Sequence, residues 1–250
     1  MKKTLLIIGL TLASSAIFAG TKAKSDKPGI GIGVRLGANL SQAQGGYDLP
    51  SGLTKAFKGS FIGGLVFNIP VANVFSVQPE LLFAQSGIAY NYSQSIFGTT
   101  LSYTVVTNIN YFQIPILAQL NFAVSDKIKI NFGVGPYLAL ALGGNTSYTS
   151  WNAPSSISKP SDVTYSVKKG GLNAFDFGIV VSPGISIKAG PGEVIADFRF
   201  TYGFLDIFDP KETTDASIGT NDIVKTTNYK AFNNMNLGLS VGYIYRLGSK

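Results

Sequence analysis

The sequence from residue 128 to residue 140 alternates strictly between two kinds of side chain. Every second residue is Ile, Phe, Val, Pro or Leu, and the positions between them hold Lys, Asn, Gly, Tyr and Ala. A period of two is typical of a β-strand with one apolar and one polar face. Twelve steps of about 3.3 Å, tilted by about 45°, span roughly 28 Å, close to the ~25 Å apolar band of a transmembrane barrel. A chain built on such strands is expected to separate an apolar environment from a polar one.

The same period recurs along the chain and predicts eight strands, at residues 29–40, 59–69, 74–90, 104–123, 128–142, 172–188, 193–204 and 232–247. Short connections at 71–73, 124–127 and 189–192 alternate with long ones at 41–58, 91–103, 143–171 and 205–231. This order predicts an all-β fold, an eight-stranded antiparallel up-and-down transmembrane barrel with short periplasmic turns and long extracellular loops. Four prolines inside these strands predict bulges or ladder interruptions, at Pro79, Pro115, Pro136 and Pro183.

The first nineteen residues have the features of an export signal. Lys2 and Lys3 precede an apolar run at 5–12, and small residues follow up to Ala19. We therefore predict a signal peptide at 1–19, a short periplasmic N-terminal segment at 20–28 and one barrel domain at 29–250. No later apolar run approaches the ~20 residues of a membrane helix, so insertion into a membrane would have to use strands.

Periodicity alone does not say which face points inward, because a soluble barrel would bury its apolar face. The polar face of the first strand carries Arg35 among small residues, and that of the seventh carries Glu193, Asp197 and Arg199. Charges of both signs favour a polar lumen inside a lipid-facing wall. On this orientation Lys129, Asn131 and Tyr137 face the lumen, and an aromatic girdle is expected at the upper strand ends, from Tyr90, Tyr92, Tyr103, Tyr202 and Phe204.

The lumen is also where charged side chains are expected to meet. Counting from the strand starts places Arg35, Glu80 and Arg199 at one level, with Asp197 one position below and Asp176 nearer the top. An eight-stranded lumen is narrow enough for side chains to fill it. We favour a structural, charge-paired plug over a gate or ion path, because unpaired buried charge is costly. Glycines at 31, 33 and 37 would leave room for Arg35.

Several strand segments resemble the PorT-type outer-membrane β-barrel family, with the most specific match at 78–83 (QPELLF) and 113–115 (QIP). The other matching segments are 33–41 (GVRLGANLS), 75–87 (FSVQPELLFAQSG), 111–120 (YFQIPILAQL), 133–140 (GVGPYLAL), 175–185 (FDFGIVVSPGI) and 237–247 (LGLSVGYIYRL). The resemblance implies a barrel related in architecture to OmpA and OmpX, often without assigned activity, whose namesake supports a secretion and gliding apparatus. The last three residues depart from the usual terminal aromatic, so we assign the insertion signal to Tyr243, Tyr245 and Leu247.

Catalysis is disfavoured because the chain has no histidine or cysteine and no serine with an evident base. We therefore expect no enzyme, no cofactor and no metal. Five carboxylates crowd the fourth loop, but their spacing does not match a calcium-binding EF-hand and a solvated charged loop is favoured: Asp206, Asp209, Glu212, Asp215 and Asp222.

The third loop supplies the residues that we expect to make contacts outside the membrane. They are Tyr148, Trp151, Tyr165, Lys168 and Lys169. Exposed aromatic side chains among small polar residues suit a contact surface, although they would equally suit a loop lid or a lipid headgroup contact. Expected partners are outer-membrane lipid and lipopolysaccharide, the barrel-assembly machinery during insertion, and a protein bound through the loops. The formal net charge of +7, lowered by two on loss of Lys2 and Lys3, gives no support for nucleic-acid binding.

Three functions remain open from the sequence. The first is a non-enzymatic membrane anchor whose loops serve envelope integrity, adhesion or a partner. The second is a narrow channel for ions or small solutes, and the third is an accessory of a protein-secretion or gliding machine.

Overall fold

The computed structural model describes residues 29–46, 51–96, 98–165, 172–208 and 230–248. These residues form ten antiparallel strands: β1 (Gly31–Gly46), β2 (Leu53–Ala56), β3 (Lys58–Ala72), β4 (Phe75–Ile96), β5 (Thr99–Ala123), β6 (Ile128–Asn152), β7 (Val163–Tyr165), β8 (Phe175–Ala189), β9 (Gly192–Gly203) and β10 (Lys230–Arg246). No helix among the described residues is long and apolar enough to cross a membrane. The predicted signal peptide and the segment at 20–28 lie outside the described residues.

The sheet closes on itself. β1 pairs with β3 on one side and β10 on the other, and the ladder continues through β4, β5, β6, β8 and β9 back to β10. The two short strands do not raise the number of strands around the barrel above eight. β2 pairs with β4 above the end of β3, and β7 pairs with β6 above the end of β8. The predicted eight-stranded antiparallel barrel is therefore confirmed, and its short turns all lie at one end.

Two of the four predicted long loops, at 41–58 and 91–103, are largely strand, and part of a third, at 143–171, is strand as well. β4 and β5 run to Ile96 and from Thr99, so the predicted loop at 91–103 is a β-hairpin. β6 continues to Asn152, and β1 continues to Gly46. The prediction was wrong here because it followed hydrophobic alternation. Backbone pairing persists where both faces of the strands are polar.

The four prolines predicted within strands interrupt ladders without shifting the register. Beside each of them one ladder omits two residue pairs and resumes in the same register. In the β4–β5 ladder, for example, Pro79 pairs with Ile116 and the next pair is Leu82 with Gln113. Proline lacks the N–H that a ladder needs, so an interruption is the expected consequence. Of the two predicted outcomes, the structure has interruptions and not bulges at these positions.

The two faces of β6 differ in exposure as its alternation predicts. Ile130 and Leu138 are 53% and 50% exposed, whereas Asn131 and Tyr137 are each 2% exposed. The apolar side chains therefore point outward, and the polar ones, with Lys129 at the turn end, point into the barrel. An outward apolar band around a polar interior is what a barrel embedded in lipid requires.

The upper edge of this apolar band lies at one level on β4 and β5 and slightly higher on β6, where Leu142 is also outward and 53% exposed. Phe83 pairs with Phe112, and Phe112 pairs with Leu140, so three outward apolar residues are adjacent. The next outward pair above them is Gln85 with Asn110, whose side-chain amides are joined by a 3.1 Å hydrogen bond. The change from apolar to amide side chains marks the height at which the wall leaves the lipid.

Candidate functional site: a sealed lumen and an extended sheet

Four charged side chains meet in the middle of the lumen. Arg35 Nη1 lies 2.9 Å from Asp197 Oδ2, and Arg35 Nη2 lies 3.5 Å from Glu80 Oε1. Glu80 Oε2 also accepts a 2.7 Å hydrogen bond from Arg199 Nη2. These residues, here called the central tier, are no more than 3% exposed and carry equal numbers of positive and negative charges. The structure thus brings together four of the five residues predicted for the lumen network.

The strand register explains why the central tier assembles. Gly37 of β1 pairs with Ser240 of β10, and Ser240 pairs with Asp197 of β9. Ser240 Oγ donates to Asp197 Oδ2 at 2.9 Å and accepts from Arg35 Nη1 at 3.2 Å. A Cβ on Gly37 would lie 2.8 Å from the Ser240 Cβ, so only glycine leaves space at this point. Asp197 is consequently the partner of Arg35.

The fifth predicted member, Asp176, belongs to a separate upper tier. Its Oδ2 accepts hydrogen bonds from Tyr137 Oη at 2.8 Å and from Asn234 Nδ2 at 2.9 Å. The same Asn234 amide lies 3.1 Å from Tyr111 Oη, and Ser86 Oγ donates to Asn234 Oδ1 at 2.9 Å. Within the described residues Asp176 forms no ion pair, so including it in the charge network was wrong. Its Oδ2 is bound by neutral donors because its strand runs downward and places it above the arginines, whereas its buried Oδ1 has no hydrogen-bond partner among the described residues.

A lower tier at the turn end was not predicted as a site. Glu193 forms ion pairs with Lys129 and with Arg246, the second at 3.2 Å. Arg246 Nη1 donates to Asn68 Oδ1 at 2.6 Å, and Asn68 Nδ2 reaches the Gln119 side chain at 3.0 Å. The polar alternation had placed Glu193 and Lys129 inward. Their meeting with Arg246 depends on the register between β9 and β10, which the sequence does not show.

Together the three tiers seal the interior. Water does not reach the Arg35 and Glu80 side chains, which are both 0% exposed. Cavities of about 20 Å³ and 70 Å³ lie in the upper and lower tiers respectively. Spaces of this size hold one or a few water molecules. The geometry therefore supports a filled lumen with small wet spaces above and below a dry ionic centre.

Above the apolar band, the longest strands continue as one sheet, whose inner face is buried in its lower part, where Ile88 and Ile109 are 3% and 1% exposed. We call this the extended sheet: residues 85–96 of β4, 99–110 of β5 and 143–152 of β6, flanked by β2 and β7. Its outward face carries a ladder of polar side chains, such as Thr104, whose Oγ1 donates to Asn91 Oδ1 at 3.0 Å. Continuous pairing makes this a rigid platform and not a set of loops.

The inner face of the extended sheet carries four aromatic side chains in contact, here called the aromatic stack. The Tyr103 ring stacks on Tyr92, with centroids 4.9 Å apart, and on Trp151, with centroids 5.2 Å apart. Tyr148 meets the Trp151 ring edge-on at 6.4 Å. Tyr103 lies on the same side of β5 as the buried Thr107, so the stack continues the lumen side of the barrel upward. All four rings are partly exposed.

A strained residue places Trp151 in this stack. Strict alternation would put Tyr148 and Trp151 on opposite faces, because they are three residues apart. Ser150 has a φ of 50°, and the β5–β6 register shifts between Ser102 and Thr104. This bulge inserts one extra residue and turns Trp151 to the side of Tyr148. A non-glycine residue in the left-handed region costs free energy and often marks a functional position.

Electrostatics near the aromatic stack are weak. Burial, followed by the neighbouring Tyr92 and Tyr148 hydroxyls, raises the pKa of Tyr103, so its phenol stays neutral. Among the described residues, Lys55 of β2 is a cation beside this sheet, and its backbone pairs with Tyr90. Its ammonium donates to the backbone carbonyls of Ala43 and Gly45, and burial lowers its pKa. This lysine is therefore held at the barrel mouth by the chain itself.

The remaining predicted site residues are dispersed. Tyr148 and Trp151 lie in β6 and not in a loop, the Tyr165 backbone belongs to β7, and Lys168 and Lys169 lie outside the described residues. Of the five loop carboxylates only Asp206 is described, and its Oδ1 accepts the Phe208 and Phe232 amides, each at 3.1 Å. The others, Asp209, Glu212, Asp215 and Asp222, lie outside the described residues. Within the described part of the chain no three acidic or other metal-ligating side chains cluster around a metal position.

The predicted aromatic girdle is wrong for three of its five members. Tyr90, Tyr92 and Tyr103 lie above the apolar band on the inner face, because the strands continue past the level where a girdle would sit. Tyr202 and Phe204 do face outward, and their rings are 5.9 Å apart. At the opposite end, Tyr245 and Leu247 of the predicted insertion signal are each 46% exposed, and Tyr243 Oη donates to the Ala189 carbonyl at 3.0 Å.

Comparison with solved structures finds bacterial outer-membrane proteins. Ail of Yersinia pestis, solved with the heparin analogue sucrose octasulfate, is 11% identical, with 86% of this chain and 99% of Ail covered and a TM-score of 0.36. OprG of Pseudomonas aeruginosa is 11% identical, with coverages of 91% and 100% and a TM-score of 0.39. The neisserial surface protein NspA is 12% identical, with coverages of 84% and 95% and a TM-score of 0.35. Similarity at this level says nothing about ligands.

No curated protein matches the chain. A family model does match, over residues 18–209, and it describes the outer membrane protein beta-barrel domain. The match covers more than half of the sequence and includes β1 to β9 of the closed barrel. The chain therefore belongs to the outer membrane protein beta-barrel domain family and is an outer-membrane protein.

Proposed function

We propose that this outer-membrane protein is a non-enzymatic, closed barrel that anchors the extended sheet at the cell surface for binding. One observation carries the proposal. Above the level of Phe83, Phe112 and Leu140, three strands continue in one ladder and present four partly exposed aromatic rings. A structure that only closed a barrel would need no such extension. Adhesion, envelope integrity and recognition of a partner are all served by a rigid platform above the lipid.

The lumen supports anchoring over transport. A narrow channel would need a wet path, whereas the central tier is dry and its ion pairs span β1, β4 and β9. Opening it would separate buried charges, at a cost of several kcal/mol. A non-enzymatic role is supported by the absence of histidine and cysteine from the sequence and by the engagement of the lumen carboxylates in ion pairs and hydrogen bonds.

We also propose a subgroup for this protein, the residues used for its export and insertion, and its lipid contacts. Residues 78–83 and 113–115 support membership of the PorT-type subgroup, and with it an accessory role in a secretion or gliding machine. Export would use residues 1–19, and insertion by the assembly machinery would read Tyr243, Tyr245 and Leu247. Lipid would contact the apolar band, and lipopolysaccharide phosphates would meet Lys168 and Lys169. Copurification in native detergent tests for a secretion complex.

Site-specific labelling tests the placement of the extended sheet. Because the chain has no cysteine, a single introduced thiol is the only target for a membrane-impermeant maleimide. Ser95→Cys, near the hairpin tip, should be labelled on intact cells. Ser125→Cys, in a short turn and equally exposed, should be labelled only after the outer membrane is opened. The opposite pattern would show that the sheet faces the periplasm.

Two further measurements test the role. The purified protein should add no conductance to a planar bilayer; steady single-channel currents would favour the channel. Deleting residues 146–168 removes the β6 edge of the extended sheet and β7, but leaves the part of β6 that pairs with β8. The barrel should then fold without its binding activity, whereas loss of folding would show that this segment is structural.

A further inference from the structure

The extended sheet is free of charged side chains along its three main strands. Residues 85–110 and 143–152 contain no Asp, Glu, Lys or Arg. Apart from aromatic and aliphatic residues and glycine, they are Asn, Gln, Ser and Thr. The charged side chains beside it are engaged by the chain itself: Lys55 donates to backbone carbonyls, Lys58 donates to Gln85 Oε1 and to the Ser86 carbonyl, and Asp162 Oδ1 accepts the Tyr148 N–H at 3.4 Å. A surface above a membrane usually carries charge for solubility, so a neutral one of this size narrows the class of ligand it fits.

Charged ligands are poor candidates for this surface. Phosphate, sulfate and carboxylate groups are bound through Arg, Lys or clustered backbone N–H groups, and cationic ligands need carboxylates. A lipid acyl chain would leave the amide and hydroxyl side chains without partners. A suitable ligand must therefore be uncharged and rich in hydroxyl groups, with an apolar face that can lie against an aromatic ring.

The extended sheet offers both of the surfaces that such a ligand needs, aromatic rings for its apolar face and polar side chains for its hydroxyl groups. The rings of Tyr92, Tyr103 and Trp151 are stacked across three strands, with Tyr103 in the middle and interplanar angles of 24° and 26°. Tyr92 Oη donates to Gln94 Oε1, which fixes one polar group at the rim. Tyr and Trp give a large contact area at a low entropic cost, and Asn, Gln and Ser supply hydrogen bonds.

We propose that the aromatic stack is a binding site for a neutral glycan chain. The apolar C–H faces of the sugar rings would lie on the aromatic stack, and their hydroxyl groups would bond to the amide and hydroxyl side chains at its rim. The bulge at Ser150 is the device that builds the site, because it brings Trp151 beside Tyr103. This inference rests on the proposed surface-binding function and specifies its ligand class.

The chain carries its own reporter for the test. Trp151 is its only tryptophan, so intrinsic fluorescence of the refolded protein in detergent micelles reports on the stack alone. Maltohexaose, cellohexaose, chitohexaose and a neutral mannan are titrated as probes, with heparin and alginate as charged polymers. At least one neutral glycan should give a saturable change in emission, and the charged polymers should give none.

Variants connect the signal to the stack. Tyr103→Ala removes the central ring and should weaken binding by about tenfold or more, whereas Tyr103→Phe should retain affinity within about threefold. Tyr202→Ala, at a lipid-facing tyrosine outside the stack, is the matched control and should bind as the parent protein does. Isothermal titration calorimetry gives the affinities independently of the fluorophore.

Different results would contradict the glycan-binding proposal and the surface-anchor proposal. No saturable binding to any of the neutral glycans, equal binding to heparin, or full affinity in Tyr103→Ala would overturn the glycan proposal. None of these results would alter the labelling of Ser95→Cys on cells or the absence of conductance, which test the surface-anchor function. Labelling from the periplasmic side would overturn both.

Discussion

The substitution Glu80→Gln tests the idea that the lumen is closed by ion pairing. Glu80 is 0% exposed and is the carboxylate that contacts both arginines, at 2.7 Å for Arg199 and 3.5 Å for Arg35. It also accepts a 2.9 Å hydrogen bond from Gln78. Glutamine preserves the shape but removes the charge, which leaves two buried guanidinium groups with only Asp197 to balance them.

The expected cost follows from this arrangement. Removing one partner of a buried ion pair destabilises a protein by about 3–5 kcal/mol, because the other charge is left uncompensated. The two guanidinium groups cannot easily replace the lost carboxylate by rearranging. Arg35 Nε and both Nε and Nη1 of Arg199 already lack hydrogen-bond acceptors. Glu193→Gln is the matched control. Its partners Lys129 and Arg246 are 34% and 10% exposed, so water compensates in part and we expect a smaller loss, of about 1–2 kcal/mol.

Urea unfolding in lipid vesicles, followed by tryptophan emission and by circular dichroism, measures both free energies of unfolding. The double variant Glu80→Gln, Arg199→Gln removes one charge of each sign and should recover part of the loss, giving a coupling free energy above about 1 kcal/mol. If Glu80→Gln cost less than about 1 kcal/mol and produced steady bilayer currents, the central tier would be a gate and not a plug.

Three further outcomes are expected. Gly135→Ala should destabilise the barrel by about 2 kcal/mol or more in the same unfolding assay, because overpacking typically costs about 1–3 kcal/mol. A Cβ at this position would lie 1.9 Å from the Ile116 carbonyl oxygen. Gly59→Ala is the control and should leave the free energy of unfolding nearly unchanged, since no atom lies within 4 Å of the added Cβ. Ser150→Gly should preserve the emission spectrum of the single tryptophan, whereas Ser150→Val should shift it, because a β-branched residue disfavours a φ of 50°. Because burial raises the pKa of Tyr103, the phenol loses its proton at a lower pH in the unfolded chain than in the folded protein. The free energy of unfolding, compared with that of Tyr103→Phe, should therefore be constant below about pH 10 and decrease as the pH rises above it. A difference between the two proteins that stays unchanged up to about pH 12 would contradict the burial of this phenol.

Several features of the barrel could be predicted because they follow from local alternation. The two faces of β6, the three short turns and the lumen positions of Arg35, Glu80 and Arg199 all follow from a period of two and from counting along strands. Counting works in a closed barrel because each strand crosses the same apolar band. It put Asp176 at the correct height as well, although not among its actual neighbours.

The errors share one physical origin. Hydrophobic alternation reports a difference between lipid and lumen, and it disappears above the lipid, where the outward face meets water. Alternation therefore predicts loops in place of the extended sheet, and it assigns Tyr92 and Tyr103 to a girdle and Tyr148 and Trp151 to a loop. Backbone hydrogen bonding maintains the strands there, and it leaves only a weak trace in the sequence.

The sequence by itself determined the fold class, the orientation of the wall and the polar character of the lumen, because each follows from which side chains tolerate lipid. Only the tertiary structure decided which charges pair. Arg35 meets Asp197 across β10, and Trp151 meets Tyr103 across a bulge at Ser150. Partners on different strands are fixed by register and by single-residue irregularities, and these depend on how the whole barrel closes.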